Sequence, residues 1–175
     1  VHLFQIITSA DTLIIMKSTP SLRQIEHLAH RQLLDYQSNN PGTCFSEPGF
    51  NITVAAAYHL QDAVSRLRVE AGEGIIGYKV SCTGPGTKAQ FGINGPIRGT
   101  LFEDEALHNN AVINPNEFCQ LAIEGEMAVK VDEDGQIKAA FPVIELHNFL
   151  FRAEQKTLAE LIANNGINAG IVLPE

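Results

Sequence analysis

Glu124 and Glu126 stand two apart in the segment 121–131, where Leu121, Ile123, Met127, Val129 and Val131 alternate with Glu124, Glu126 and Lys130. A period of two is that of a strand, so both carboxylates leave one face with their Cα atoms roughly 6.6 Å apart. Two such charges repel and raise each other's pKa unless a cation or a lysine stands between them. An isolated pair of this kind reads equally as a solvated polar face. Glu145 is a third carboxylate, and it follows the apolar run Phe141-Pro142-Val143-Ile144, where burial without a partner would be costly. Three carboxylates completed by waters and a chelating substrate make an all-oxygen octahedral site, the preference of Mg²⁺ or Mn²⁺ over zinc. Lys79, within Gly77-Tyr78-Lys79-Val80, is a charge among strand-like apolar neighbours. It reads either as a surface lysine or as a group that stabilises an enolate and exchanges a proton. His147, two residues beyond Glu145, is the histidine nearest this constellation, as a site residue or a structural one.

Other chemistry has little support. Cys44, Cys82 and Cys119 are odd in number, widely spaced and without CxxC, which argues against a disulfide framework or a thiolate zinc site. No GxSxG elbow is present, and no cysteine has a neighbouring base. Gly84-Pro85-Gly86 and Gly92-Ile93-Asn94-Gly95-Pro96 read as turns and match no phosphate-binding motif.

The elements that must position these groups follow from periodicity. Thr19-Pro20-Ser21 precedes Leu22, Ile25, Leu28, Ala29, Leu33 and Tyr36 at helical spacing, with Pro20 expected in the first turn. A loop rich in Asn, Pro, Gly and Ser is expected over 37–50. A second helix is expected over 53–71, capped by Thr53, striped by Val54, Ala57, Tyr58, Val64 and Leu67, and stopped by Gly72. Beyond Gly74 the pattern becomes mostly β, with short strands at 75–82 and 99–102 between Gly and Pro turns. The strand at 121–131 turns at Asp134-Gly135 into a run at 136–144. Thr157 and Glu160 predict a capping box for a short helix, stopped by Asn165-Gly166 before a strand at 169–173. The fold class is α+β: a helical region over 1–72 and a β region over 73–175, packed as one domain.

Composition bounds the partners. The 175 residues carry 12 basic and 20 acidic groups, a net charge of −8, with 45% apolar and 18% charged residues. That composition excludes disorder and is expected of a homo-oligomer. With no basic stripe, nucleic acid is not an expected partner. The apolar stretches at 13–16 and 52–57 are too short to span a bilayer, so no membrane partner is expected. The segment 1–16 lacks a basic n-region and a cleavage signal, which together with the cysteine pattern predicts a cytoplasmic location.

Taken in order, several motifs resemble one family. They are Thr53-Val54-Ala55-Ala56-Ala57-Tyr58 with Gln61, Gly77-Tyr78-Lys79-Val80, Phe91-Gly92, Gly99-Thr100-Leu101-Phe102, Ile123-Glu124-Gly125-Glu126 and Val143-Ile144-Glu145. Together they resemble the 2-keto-4-pentenoate hydratase group of the fumarylacetoacetate hydrolase superfamily, from about residue 50 onward. The resemblance implies N-terminal helices followed by a mixed β-roll, with a divalent metal at Glu124, Glu126 and Glu145 and an active-site lysine at Lys79. It implies a small 2-oxo acid as substrate, hydrated through an enolate in the breakdown of aromatic compounds, with decarboxylation or C–C hydrolysis as the alternative within the superfamily and a non-catalytic assembly subunit as the alternative outside enzymes. The sequence departs from the hydratase pattern in three places: Pro96-Ile97-Arg98 offers no acid before Gly99, the stretch between Glu126 and Glu145 is short, and Asn168 stands where a serine is often found. The chain also stops soon after Leu173-Pro174, where the resemblance implies further strands, so a C-terminally shortened roll is expected.

Overall fold

A computed structural model describes residues 20–175. Helix α1, Leu22–Gln37, begins at Ser21, whose side chain accepts from the Gln24 N–H while Gln24 reaches back to the Ser21 N–H. Ser21, not Pro20, therefore opens the helix, because a side-chain oxygen satisfies an otherwise orphaned N–H and proline has nothing comparable to offer. Thr19 and the apolar stretch 13–16 lie outside the described residues. Helix α2, Val54–Glu70, is capped by Thr53 as its sequence predicts and ends before Gly72, which takes a φ of +103°. Its buried stripe is Ala56, Ala57, Leu60, Gln61, Ala63 and Val64, rotated from the expected one so that Val54 faces water.

Strands β1, Ile75–Ser81, and β2, Ile97–Phe102, pair antiparallel as a two-stranded sheet. Between them the expected loop contains helix α3, Pro85–Phe91. Its signals are local: Pro85 sits in the first turn, and Gly92, at φ +64°, closes the end. Strands β3, Ala106–Leu107, β4, Leu121–Val131, β5, Ile137–Asn148, and β6, Asn168–Val172, form a second sheet in the order β3-β6-β5-β4. This sheet is mixed: β3 runs parallel to β6, and the other pairs are antiparallel. At the β4–β5 turn the Asp132 carboxylate accepts from the Asp134 and Gln136 N–H groups, and Gly135 takes φ +75°. Strand β5 runs four residues past its expected end, which brings Glu145 and His147 onto regular backbone.

Helix α4, Leu158–Ala163, is capped by Thr157, but the expected capping box is only half made. The Glu160 carboxylate turns to the N–H groups of Arg152 and Ala153, and so stitches the incoming loop to the helix. The apolar core joins α1, α2 and α4 through Ile25, Phe45, Leu60, Val64, Leu161 and Ile162, with Ile97 of β2 beside them. Burying each large aliphatic side chain there contributes about 1.5–3 kcal/mol. Among the described residues no helix is long and apolar enough to cross a membrane.

Candidate functional site

Strand pairing assembles the acidic part of the site. Glu124 on β4 lies directly opposite Glu145 on β5, while Glu126 lies opposite Val143. Alternation then puts Glu124, Glu126, Glu145 and His147 on one face of the sheet. Ligand atoms of Glu124, Glu145 and His147 fall within 4.8 Å of one another. Glu126 is outside that cluster but lines the same cavity.

Lys79 reaches this group from the other sheet. Its ammonium is ion-paired with Glu145, donates to the Gly166 carbonyl at 3.1 Å and stands 3.4 Å from His147 Nε2. The side chain is buried, so Lys79 is not a surface lysine. Two glycines make its channel. A Cβ at Gly99, its partner across β1–β2, would lie 2.8 Å from Lys79 Cγ, and one at Gly166 would lie 3.4 Å from Cε.

The Gly166 carbonyl is presented by an unusual turn. Asn165, Gly166 and Ile167 all take positive φ, a costly arrangement for a β-branched residue. Asn165 holds the turn against β2: its side chain accepts from the Thr100 N–H at 2.7 Å and donates to the Thr100 carbonyl at 2.8 Å. The sequence marks Asn165-Gly166 as a helix stop. Its part in holding Lys79 is a consequence of the tertiary fold.

Charge is finely balanced here. Burial alone would raise the Glu145 pKa, but the His147 hydrogen bond at 3.0 Å and the Lys79 charge together hold it below the usual carboxylate value. Two carboxylates directly opposite across a strand pair repel. Lys79 is ion-paired with one of them, and the other, Glu124, faces the cavity. His147 Nδ1 is buried without a hydrogen-bond partner among the described residues.

The cavity has a volume of about 460 Å³. Besides the acidic group and Lys79 it is lined by Phe91 of α3 and by Phe149, Phe151 and Lys156 from the segment between β5 and α4. Sequence reasoning passed over that segment, although Phe149-x-Phe151 beside Lys156 is a visible signal for a small-molecule wall. Arg98, in the stretch that lacks an acid, is held by Gln61 and Asp62. Asn168 is buried and donates to Glu105 at 3.0 Å.

No family model matches the chain. Its curated relatives include a 2-hydroxypent-2,4-dienoate hydratase of Pseudomonas putida, 31% identical over 94 residues, covering 53% of this chain and 42% of that protein. A 2-oxo-hept-4-ene-1,7-dioate hydratase of Escherichia coli is 26% identical over 140 residues, covering 70% of this chain and 52% of that protein. The chain thus spans about half the length, or less, of these curated relatives. Among solved structures, 4-oxalocrotonate decarboxylase from Pseudomonas putida G7, complexed with magnesium and adipate, matches with a TM-score of 0.76 at 20% identity. That match covers 89% of this chain and 64% of the decarboxylase, and it establishes the fold: the α+β arrangement of helices and mixed sheets expected from the motifs. In sequence the chain is similar to members of the 2-keto-4-pentenoate hydratase group, as its motifs suggest.

Proposed function

We propose that this chain carries the site of a divalent-cation-dependent lyase, hydratase-like, acting on a small 2-oxo or 2-hydroxydienoic acid. The observation that carries this reading is the convergence of Glu124, Glu145, His147 and Lys79 in one cavity. The donor set fits a hard divalent cation: it offers carboxylate oxygens on a rigid strand pair, with an imidazole beside them. Glu124, Glu126 and Glu145 would hold Mg²⁺ or Mn²⁺. Such an ion supplies Lewis-acid chemistry, drawing electron density from the carboxylate and carbonyl oxygens of a 2-oxo acid.

The residues of the chain do the rest. Lys79, ion-paired with Glu145, would place a positive charge where an enolate oxygen develops and supply a proton to the adjacent carbon. The Gly166 carbonyl and the Gly99 channel fix that ammonium, so little reorganisation is needed when the substrate's charge moves. His147, bonded to Glu145, orients the carboxylate. A second reading within the same chemistry is decarboxylation, favoured by the absence of an acid at 96–98: loss of CO₂ leaves an enolate that needs a proton donor but no base to activate water.

The test is calorimetric titration of Mg²⁺ and Mn²⁺ into the protein, with and without oxalate, which mimics the chelating end of a 2-oxo acid. Saturable binding strengthened by oxalate is expected, and Glu124→Gln should weaken the cation at least tenfold while leaving the far-ultraviolet circular dichroism unchanged. Absence of binding by the unaltered protein would overturn the proposal and favour a non-catalytic chain. Where binding is found, turnover of a 2-hydroxydienoate against an oxalocrotonate separates hydratase from decarboxylase.

A further inference from the structure

We infer that Lys156 is a specificity-determining residue that selects dicarboxylic over monocarboxylic 2-oxo acids by binding a carboxylate remote from the reacting end; this rests on the function proposed above. The cavity has two lining cations, Lys79 and Lys156. Lys79 is committed to Glu145 and the Gly166 carbonyl. Lys156 has no carboxylate within ion-pairing distance among the described residues, yet its ammonium is not loose. It stands 4.7 Å from the ring centre of Phe149 and 5.2 Å from that of Phe151, and the two rings brace each other edge-to-face at 6.0 Å.

The manner of fixation matters. A salt bridge would hold a lysine but cancel its charge, whereas two aromatic faces hold it and leave the charge available to a ligand. The other charged groups lining this cavity are Glu124, Glu126 and Glu145, all grouped on the β4–β5 face. Among the described residues, an incoming anion therefore finds its second lining lysine at Lys156. Phe149 and Phe151 follow the end of β5 at Asn148, so the aromatic pair enters the cavity from the segment after the strand that carries Glu145. A ligand chelating at the acidic cluster and ending in a second carboxylate satisfies both sites. A monoacid of the same length would leave Lys156 unpaired and put an apolar tail beside an ammonium.

The experiment is calorimetry on the Mg²⁺-loaded protein with three probes: oxalate, 2-oxohexanoate and its diacid counterpart 2-oxoadipate. The unaltered protein should bind 2-oxoadipate about tenfold more tightly than 2-oxohexanoate. K156M should reduce that preference to near unity with oxalate affinity unchanged, and K156R should retain it. Equal affinity for monoacid and diacid in the unaltered protein, or a preference that survives in K156M, would overturn the assignment of Lys156 while leaving the proposed function standing. Failure of all three probes to bind the unaltered protein would overturn both.

Discussion

An ideal Cβ built at Gly99 would lie 2.7 Å from the Asn165 carbonyl oxygen and 2.8 Å from Lys79 Cγ. The first contact is with backbone in a turn pinned to β2, and the second is with the stem of the buried ammonium, so neither neighbour can yield without moving the site. Gly99→Ala is expected to cost about 1–3 kcal/mol, the range for overpacking a filled interior, read as a lower urea midpoint. It should also lower turnover in whatever protein remains folded. A second contrast lies between Glu126 and His147. If the cation rests on three carboxylates, Glu126→Gln should weaken Mg²⁺ more than His147→Gln does, and the His147 variant should act mainly on turnover. The reverse order in calorimetry would make the imidazole the third ligand. At this scale the sequence was informative wherever chemistry resides in side-chain type: three glutamates and a lysine in strand-like runs were enough to nominate the site. It was silent on the Gly166 carbonyl, since a backbone acceptor has no side-chain signature, and on the pairing of Glu124 with Glu145, which depends on strand register.

Among the elements, α2 is the strut to which the others are fastened, and Gln61 is its fastening. The Gln61 amide is buried and donates to the carbonyls of Arg98 on β2 at 3.1 Å and Ile162 on α4 at 2.8 Å, while its oxygen accepts from the Arg98 side chain at 2.9 Å. Through that one side chain the helix holds both the strand paired with Lys79's strand and the helix leading to Gly166. Gln61→Leu would keep much of the volume but strand two carbonyls, at about 1–3 kcal/mol for each group left unsatisfied and buried. The expected result is a clear loss of stability in urea and faster amide exchange over 97–102 and 158–167, with α1 affected less. Equal exchange in both proteins would show that packing alone positions these elements. The helices and the long hairpin were legible because caps, Gly stops and period-two alternation act locally. The failures were also local, but involved a choice between partners. Glu160 has the spacing of a capping box, yet finds the Arg152 and Ala153 N–H groups nearer, and the Gly-Pro run at 84–86 starts a helix because Gly92 is there to end it.

Taken whole, the molecule is unevenly covered. The helical side closes over Leu60 and Ile162, whereas Ile123, Met127 and Val129 on β4 are 64%, 65% and 53% exposed, and Tyr78 and Val80 on β1 are similarly open. The alternation in 121–131 correctly sorts residues onto two faces. It does not say what lies against either face, because a period of two is indifferent to whether the apolar side meets a core or another molecule. Here the carboxylate face borders the cavity, and the apolar face is exposed along β4. Among the described residues β4 is also terminal in the four-stranded sheet, so alternate residues along it turn N–H and C=O groups to an edge with no strand partner. Such an edge with exposed apolar side chains is a template for association. Two copies meeting antiparallel at β4 would pair the edges and bring the two apolar ladders side by side through a single two-fold operation. Sedimentation of the 19.1 kDa chain is therefore expected to show a species of twice that mass. Met127→Lys, which puts a charge in the middle of that face, should shift it to monomer without changing the circular dichroism. A monomer at every concentration of the unaltered protein would show that the face is bare in solution and that self-association is not how this chain covers its edge.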